Sequence, residues 1–369
     1  MSRYDVAIVG AGIAGAGLAA EVAPHARVLL LEAEDQPGYH ATGRSAAFWS
    51  ETYGGADIQP LSKASGPALR DPPAELGGES FLSPRGELFI ATREDRHVLD
   101  RFVAEFAAAG VRLEPVDPAP RCPGLRPEWS EALWDPTCAD IDVARLHAAY
   151  LGAARRAGAE LVCAAGVTAA CREGGGWRIE TRAGAFAAEV LVNAAGAWAD
   201  PVAALAGAPA IGTMPLRRTM VQLRVDPPAQ PALPLVRDAR DRFYFKPEAG
   251  GRIWLSPHDE IPSDPCDAAP EELDVAMAID KLETAVDWRI DAVERKWAGL
   301  RTFAPDRKPV YGFDPAAPGF FWCAGQGGFG IQTSPAATRL AAAMLLGTAP
   351  DPMVAHIDPA AYSIRRFRG

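Results

Sequence analysis

Six residues near the N-terminus, GAGIAG (Gly10 to Gly15), constrain this chain more than any other stretch. They follow an apolar β-branched run, Tyr4 to Val9, and open an alanine-rich stretch, about Ile13 to Val22; a second apolar run, Val28 to Glu32, ends on an acid. Strand, glycine turn, helix and strand make a βαβ unit. Glycines in that turn permit a tight bend and let the backbone approach a pyrophosphate at a helix N-terminus, while Glu32 can accept hydrogen bonds from a ribose hydroxyl pair. The acid also repels a ribose 2′-phosphate, so the motif predicts NAD or FAD rather than NADP.

Two further segments share this nucleotide-domain texture. EVLVNAAGAWAD (Glu189 to Asp200) reads as a buried strand ending in small residues. GFFWCAGQGGFGIQTSPAATRLAAAMLLG (Gly319 to Gly347) reads as strand, glycine loop and a helix begun by Thr333, Ser334 and Pro335. Between them lie proline-bearing stretches with strand-like pieces, GELFIAT (Gly86 to Thr92), MVQLRV (Met220 to Val225) and RFYFKP (Arg242 to Pro247). The predicted organisation is therefore discontinuous: a dinucleotide domain from residues 1–50, 137–205 and 297–369, and a sheet-based substrate domain from 51–136 and 206–296. A chain of 369 residues is long enough for two cores.

Composition narrows the function classes. A formal net charge of -10 argues against a nucleic-acid surface, and no apolar run reaches the roughly 18 residues of a membrane span. The N-terminus runs straight into a strand without a signal-peptide pattern, so a cytoplasmic location is expected. Six scattered cysteines without a C-x-x-C pair predict buried free thiols and no metal site.

GAGIAG with Glu32, then GRSAA, NAAGAWAD, WAGLRTFAPD (Trp297 to Asp306) and GQGGFGIQTS (Gly325 to Ser334) together resemble the D-amino acid oxidase/glycine oxidase superfamily of FAD enzymes. GYHATGRSAA, SPRGE, DPTCADID and FYFKP add a likeness to bacterial FAD-dependent D-amino acid dehydrogenases, D-arginine dehydrogenase in particular. The resemblance implies a mixed α/β fold: a glutathione-reductase-type, Rossmann-like FAD domain with an antiparallel-sheet substrate domain roofing the flavin. It implies non-covalent FAD held by Gly10, Gly12, Ile13, Ala14, Gly15, Glu32, Arg44, Ser45, Ala46, Val167, Gly196 and Trp198. Gly327, Gly328, Gly330, Ile331, Gln332 and Thr333 are placed near the isoalloxazine.

For substrate, the resemblance implies an amino acid whose carboxylate is clamped by Arg301, seconded by Arg218; a planar guanidinium matches both carboxylate oxygens. Tyr53 and Tyr244 are expected to close over it, with Gly328 and Gln332 adjacent. Glu87 is matched to the acid that recognises a cationic side chain, although its strand position also allows it to face water. Phe48 stands where the D-arginine dehydrogenases carry a substrate-binding histidine. The implied reaction passes hydride from Cα to flavin N5 and yields an imino acid, then a 2-oxo acid and ammonia. Quinone or oxygen is the expected electron acceptor. Oxidation of a 2-hydroxy acid or of glycine or a secondary amine, and flavin binding with an impaired substrate site, are the alternatives.

Overall fold

The computed structural model describes residues 3–368 and is built on two large sheets. The first has a parallel centre in which Arg3–Val9 lies between Val28–Leu31 and the C-terminal half of Gly184–Asn193, flanked by Glu160–Val162 and Phe320–Ala324. Its central strands read as continuous apolar runs because both faces are covered. One face packs on the helices Ile13–Val22, Val143–Arg156 and Gly330–Leu346; the other carries Trp177, Ile179, Val202 and Trp322.

The second sheet is dominated by two long antiparallel strands, Met214–Asp226 and Arg289–Phe303. It is not wholly antiparallel as expected. Leu235–Asp238 runs parallel to Glu87–Ala91, at the join between the two inserted stretches of chain. Arg289–Phe303 also runs straight through position 297, and its last residues pair with Gln326–Gly327. One strand thus spans the expected domain boundary and ties the substrate sheet to the glycine loop.

The last long helix starts earlier than its Thr-Ser-Pro signal implies. It runs Gly330–Leu346 and contains Pro335. Proline cannot donate to the carbonyl four residues back, and here Ser334 Oγ donates to Ile331 O at 3.0 Å instead. Cys122, Cys138 and Cys323 are buried free thiols as expected, whereas Cys171 and Cys266 are exposed. Among the described residues no group of His, Cys, Asp or Glu is arranged to hold a metal ion, and no helix is long and apolar enough to cross a membrane.

Candidate active site

A cleft of about 460 Å³ opens at the C-terminal ends of the parallel strands and runs to the second sheet. The register explains its position: Val9 is level with Leu31 on one side and Asn193 on the other, so Gly10, Glu32 and Ala194 emerge together. That edge is where open α/β sheets bind ligands.

Gly10, Gly12, Ile13, Ala14 and Glu32 line the dinucleotide end. Gly10 has φ +98°, and a Cβ there would lie 2.5 Å from Ala194 O; at Gly15 it would lie 1.9 Å from Gly10 O. Gly15 therefore packs the helix onto its turn rather than lining the cleft. Glu32 accepts from Ala11 N at 3.0 Å and from Glu34 N at 3.1 Å, which aims its buried carboxylate at this end. The first helical amide, Ile13 N, donates to Thr42 Oγ1 at 3.0 Å; Thr42 lines the cleft and lies within GYHATGRSAA but was not among the expected cofactor residues. A glycine turn without room for side chains, a helix N-terminus and a fixed acid fit a dinucleotide.

Arg44, Ser45, Ala46, Val167, Gly196 and Trp198 line the middle. The Arg44 guanidinium donates to Ala298 O and Ala268 O and pairs with Asp267, so it lines the cleft and also fastens its rim to the second sheet. Gly327, Gly328, Gly330 and Ile331 line the far end, while Thr333 does not: its hydroxyl donates to Phe329 O inside the helix start.

At that far end the cleft meets a smaller cavity of about 20 Å³ walled by Phe48, Tyr53, Tyr244, Arg301, Gly328 and Gln332 among others. Leu216 is level with Arg301 and Arg218 with Gly299, so side-chain alternation puts both arginines on one face of the sheet. Arg301 lies on Gly328, where a Cβ would sit 2.7 Å from its Nη1, and donates to Tyr53 Oη at 2.7 Å. Arg218 is buried; its Nε donates to Asp259 O at 2.6 Å, but its two terminal nitrogens have no hydrogen-bond partner. Burial and then the charge of Arg301 hold its pKa below the usual value. A bound anion relieves that repulsion and supplies the missing acceptors. Phe48 lies tilted 4.8 Å from the Tyr53 ring and edge-on 6.2 Å from Tyr244, forming an apolar wall.

Gln332 is scaffold: it accepts from Ser50 N and donates to Tyr53 O and Ser62 Oγ. Glu87 corrects one expectation. It is fully buried, lines neither cavity, and sits 2.8 Å from Arg237 Nε, behind Tyr53. Alternation along Glu87–Ala91 sends Leu88 and Ile90 into one core and Glu87 and Phe89 to the other face, where Arg237 meets them. Arg237 and His258 were not read from the sequence; the one available signal was a charge, Arg237, inside an apolar strand. His258 donates Nδ1–H to Asp241 O at 2.7 Å, and burial with the charges of Arg218, Arg301 and Arg237 keeps it neutral.

Residues 5–344 match the family model described as DAO, FAD dependent oxidoreductase. Glycine oxidase of Geobacillus kaustophilus is 27% identical over 355 residues, covering 90% of each chain. Its crystal structure superposes with a TM-score of 0.83 at 26% identity, covering 95% of this chain and 97% of that one. Hydrogen cyanide synthase subunit HcnC of Pseudomonas aeruginosa is 25% identical over 387 residues, covering 90% of this chain and 89% of that protein. The L-proline dehydrogenase of P. horikoshii, 22% identical with a TM-score of 0.83, covers 97% of each chain and shares the fold. With the dinucleotide cleft, these matches establish that the chain belongs to the DAO family of FAD-dependent oxidoreductases.

Proposed function

We propose that this protein oxidises the Cα–N bond of a small amino acid, a D-amino acid or glycine, to an imino acid that water hydrolyses to a 2-oxo acid and ammonia. One observation carries the reading: a buried arginine and a half-buried one from neighbouring strands line the same end of the cleft, Arg301 laid on Gly328 and steadied by Tyr53, Arg218 with terminal nitrogens that make no hydrogen bond and only a 3.6 Å ion pair to Glu260. Such a pair suits a carboxylate. FAD, held non-covalently by the glycine turn, Glu32 and the Gly327–Ile331 loop, supplies the two-electron acceptor when bound. The chain's own part is positioning: the arginines hold the carboxylate, while Tyr53, Tyr244 and Phe48 exclude water from Cα.

The D hand is supported by the likeness of GRSAA, FYFKP and WAGLR to the D-amino acid dehydrogenases. Glycine is supported by the smallness of the cavity beside Phe48 and by the name of the similar glycine oxidase. No base needs to line the site, since an amine that arrives unprotonated loses none before oxidation. Mixing the yellow protein anaerobically with D-amino acids, L-amino acids, glycine and 2-hydroxy acids tests the reading through loss of flavin absorbance. Bleaching by a D-amino acid or glycine is expected; bleaching by 2-hydroxy acids alone overturns it. Admitting oxygen or adding a soluble quinone then identifies the electron acceptor.

A further inference from the structure

Behind the Tyr53 wall lies a buried charge pair that the reaction does not use. Arg237, its side chain 5% exposed, sits 2.8 Å from the fully buried Glu87. Its guanidinium is boxed by three rings, 4.6 Å from Phe89, 5.4 Å from Tyr53 and 5.9 Å from Phe102. The other face of this arrangement is the substrate end itself, because the same Tyr53 lines the small cavity and accepts from Arg301. Only one aromatic ring separates the pair from the substrate.

We propose that Arg237 determines which side-chain charge the cavity accepts: as an internal guanidinium stacked behind Tyr53 and paired with Glu87, it fills the place a cationic side chain would take and restricts the site to amino acids with uncharged side chains. The inference rests on the amino-acid reading above.

Two features support it. First, Glu87 is neutralised but poorly satisfied: the contact is close yet misdirected, and neither carboxylate oxygen has a directed hydrogen bond. A buried acid in that state binds an incoming cation strongly once its internal partner is gone. Second, Arg218, Arg301 and Arg237 all act on the one imidazole of His258, with the charge of Arg237 offset in part by Glu87 and by Asp241 at 3.4 Å. The substrate carboxylate offsets part of that charge, whereas a basic side chain is repelled by it.

The test compares the holoenzyme with Arg237→Ala, Arg237→Lys and a Glu87→Leu/Arg237→Leu double variant. Anaerobic flavin reduction is followed at pH 9 with D-alanine, D-leucine, D-arginine and D-lysine. The unaltered protein and Arg237→Lys are expected to prefer the neutral substrates. Arg237→Ala should move the basic-to-neutral ratio of reduction rates by about one to two powers of ten towards the basic substrates, the equivalent of one hydrogen bond to a charged group. The double variant, which loses Glu87 and keeps only Asp241 near the box, should not show that gain. A second readout needs no turnover: low millimolar guanidinium should raise the melting temperature of Arg237→Ala by refilling the vacated box, and only lower that of the unaltered protein. An unmoved substrate ranking in Arg237→Ala, a gain that survives in the double variant, or no guanidinium stabilisation overturns the proposal. If no amino acid reduces even the unaltered protein, the amino-acid reading fails instead, and the melting experiment still judges the box.

Discussion

Arg301 lies across the backbone of Gly328, so a methyl group at 328 must push the guanidinium aside. Gly328→Ala is expected to fold and retain FAD while kcat/KM falls roughly 10²-fold, as for a misplaced binding group; steady-state kinetics beside a flavin absorbance spectrum check this. Arg301→Ala removes the clamp itself, and KM for carboxylate-bearing substrates should rise about ten- to a hundredfold, with a smaller rise for amines that lack a carboxylate. At Glu87, burial pushes the carboxyl from 4.5 up to about 7 against the pull of Arg237. Between those values the folded protein keeps a proton that the unfolded chain has lost, so a stability contribution present below pH 4.5 disappears as pH approaches 7. Glu87→Gln should therefore gain stability over the unaltered protein as pH rises through that window; urea midpoints at pH 4.5 and 8 that differ between the two proteins by the same amount refute it. Arg301 and Gly328 stand in motifs and were legible in the sequence. The Glu87–Arg237 contact was not, since 150 residues separate partners that only a parallel strand pairing brings together.

The helix Gly330–Leu346 does more than present its N-terminus to the cleft. Through Gln332 it holds the stretch that carries Phe48 and Tyr53, and through Ser65, which donates to Thr333 O and accepts from Ala336 N, it docks the helix Gln59–Arg70. Gln332→Leu strands Ser50 N, Tyr53 O and Ser62 in a buried setting. A loss of about 2 kcal/mol or more is expected, visible as a lower melting temperature, with a raised KM because Tyr53 no longer steadies Arg301. An unaltered melting temperature would contradict the role. The Thr-Ser-Pro signal marks this helix but starts it late: Thr-Ser-Pro resembles a start signal, and the serine's substitution for the missing proline donor appears only in three dimensions.

At the scale of the molecule, the cleft runs from the parallel sheet to the second one, and the long strand Arg289–Phe303 carries Arg301 to it and pairs its last residues with Gln326–Gly327 of the glycine loop. Burial, and then the arginines nearby, keep His258 uncharged, so it cannot impose its own ionisation on the pH profile. If an unprotonated amine is the reacting form, kcat/KM should rise with pH to a plateau, and the midpoint should follow the amine of the substrate used. Two substrates with different amine pKa values but one shared midpoint would assign the ionisation to the protein.

GAGIAG, Glu32 and the glycine loop 325–330 determined the dinucleotide-binding half from the sequence alone, because close backbone approach and a helix N-terminus are local requirements written in consecutive residues. The pairing of Arg218 with Arg301 was partly legible, as motif positions without a geometry. Which charges face the substrate was decided by tertiary structure: Arg44 turns to Asp267, and Glu87 turns to Arg237, because a buried ionised side chain takes whichever counter-charge the strand register brings within reach. Local pattern specifies a dinucleotide site; long-range pairing sets the substrate's surroundings.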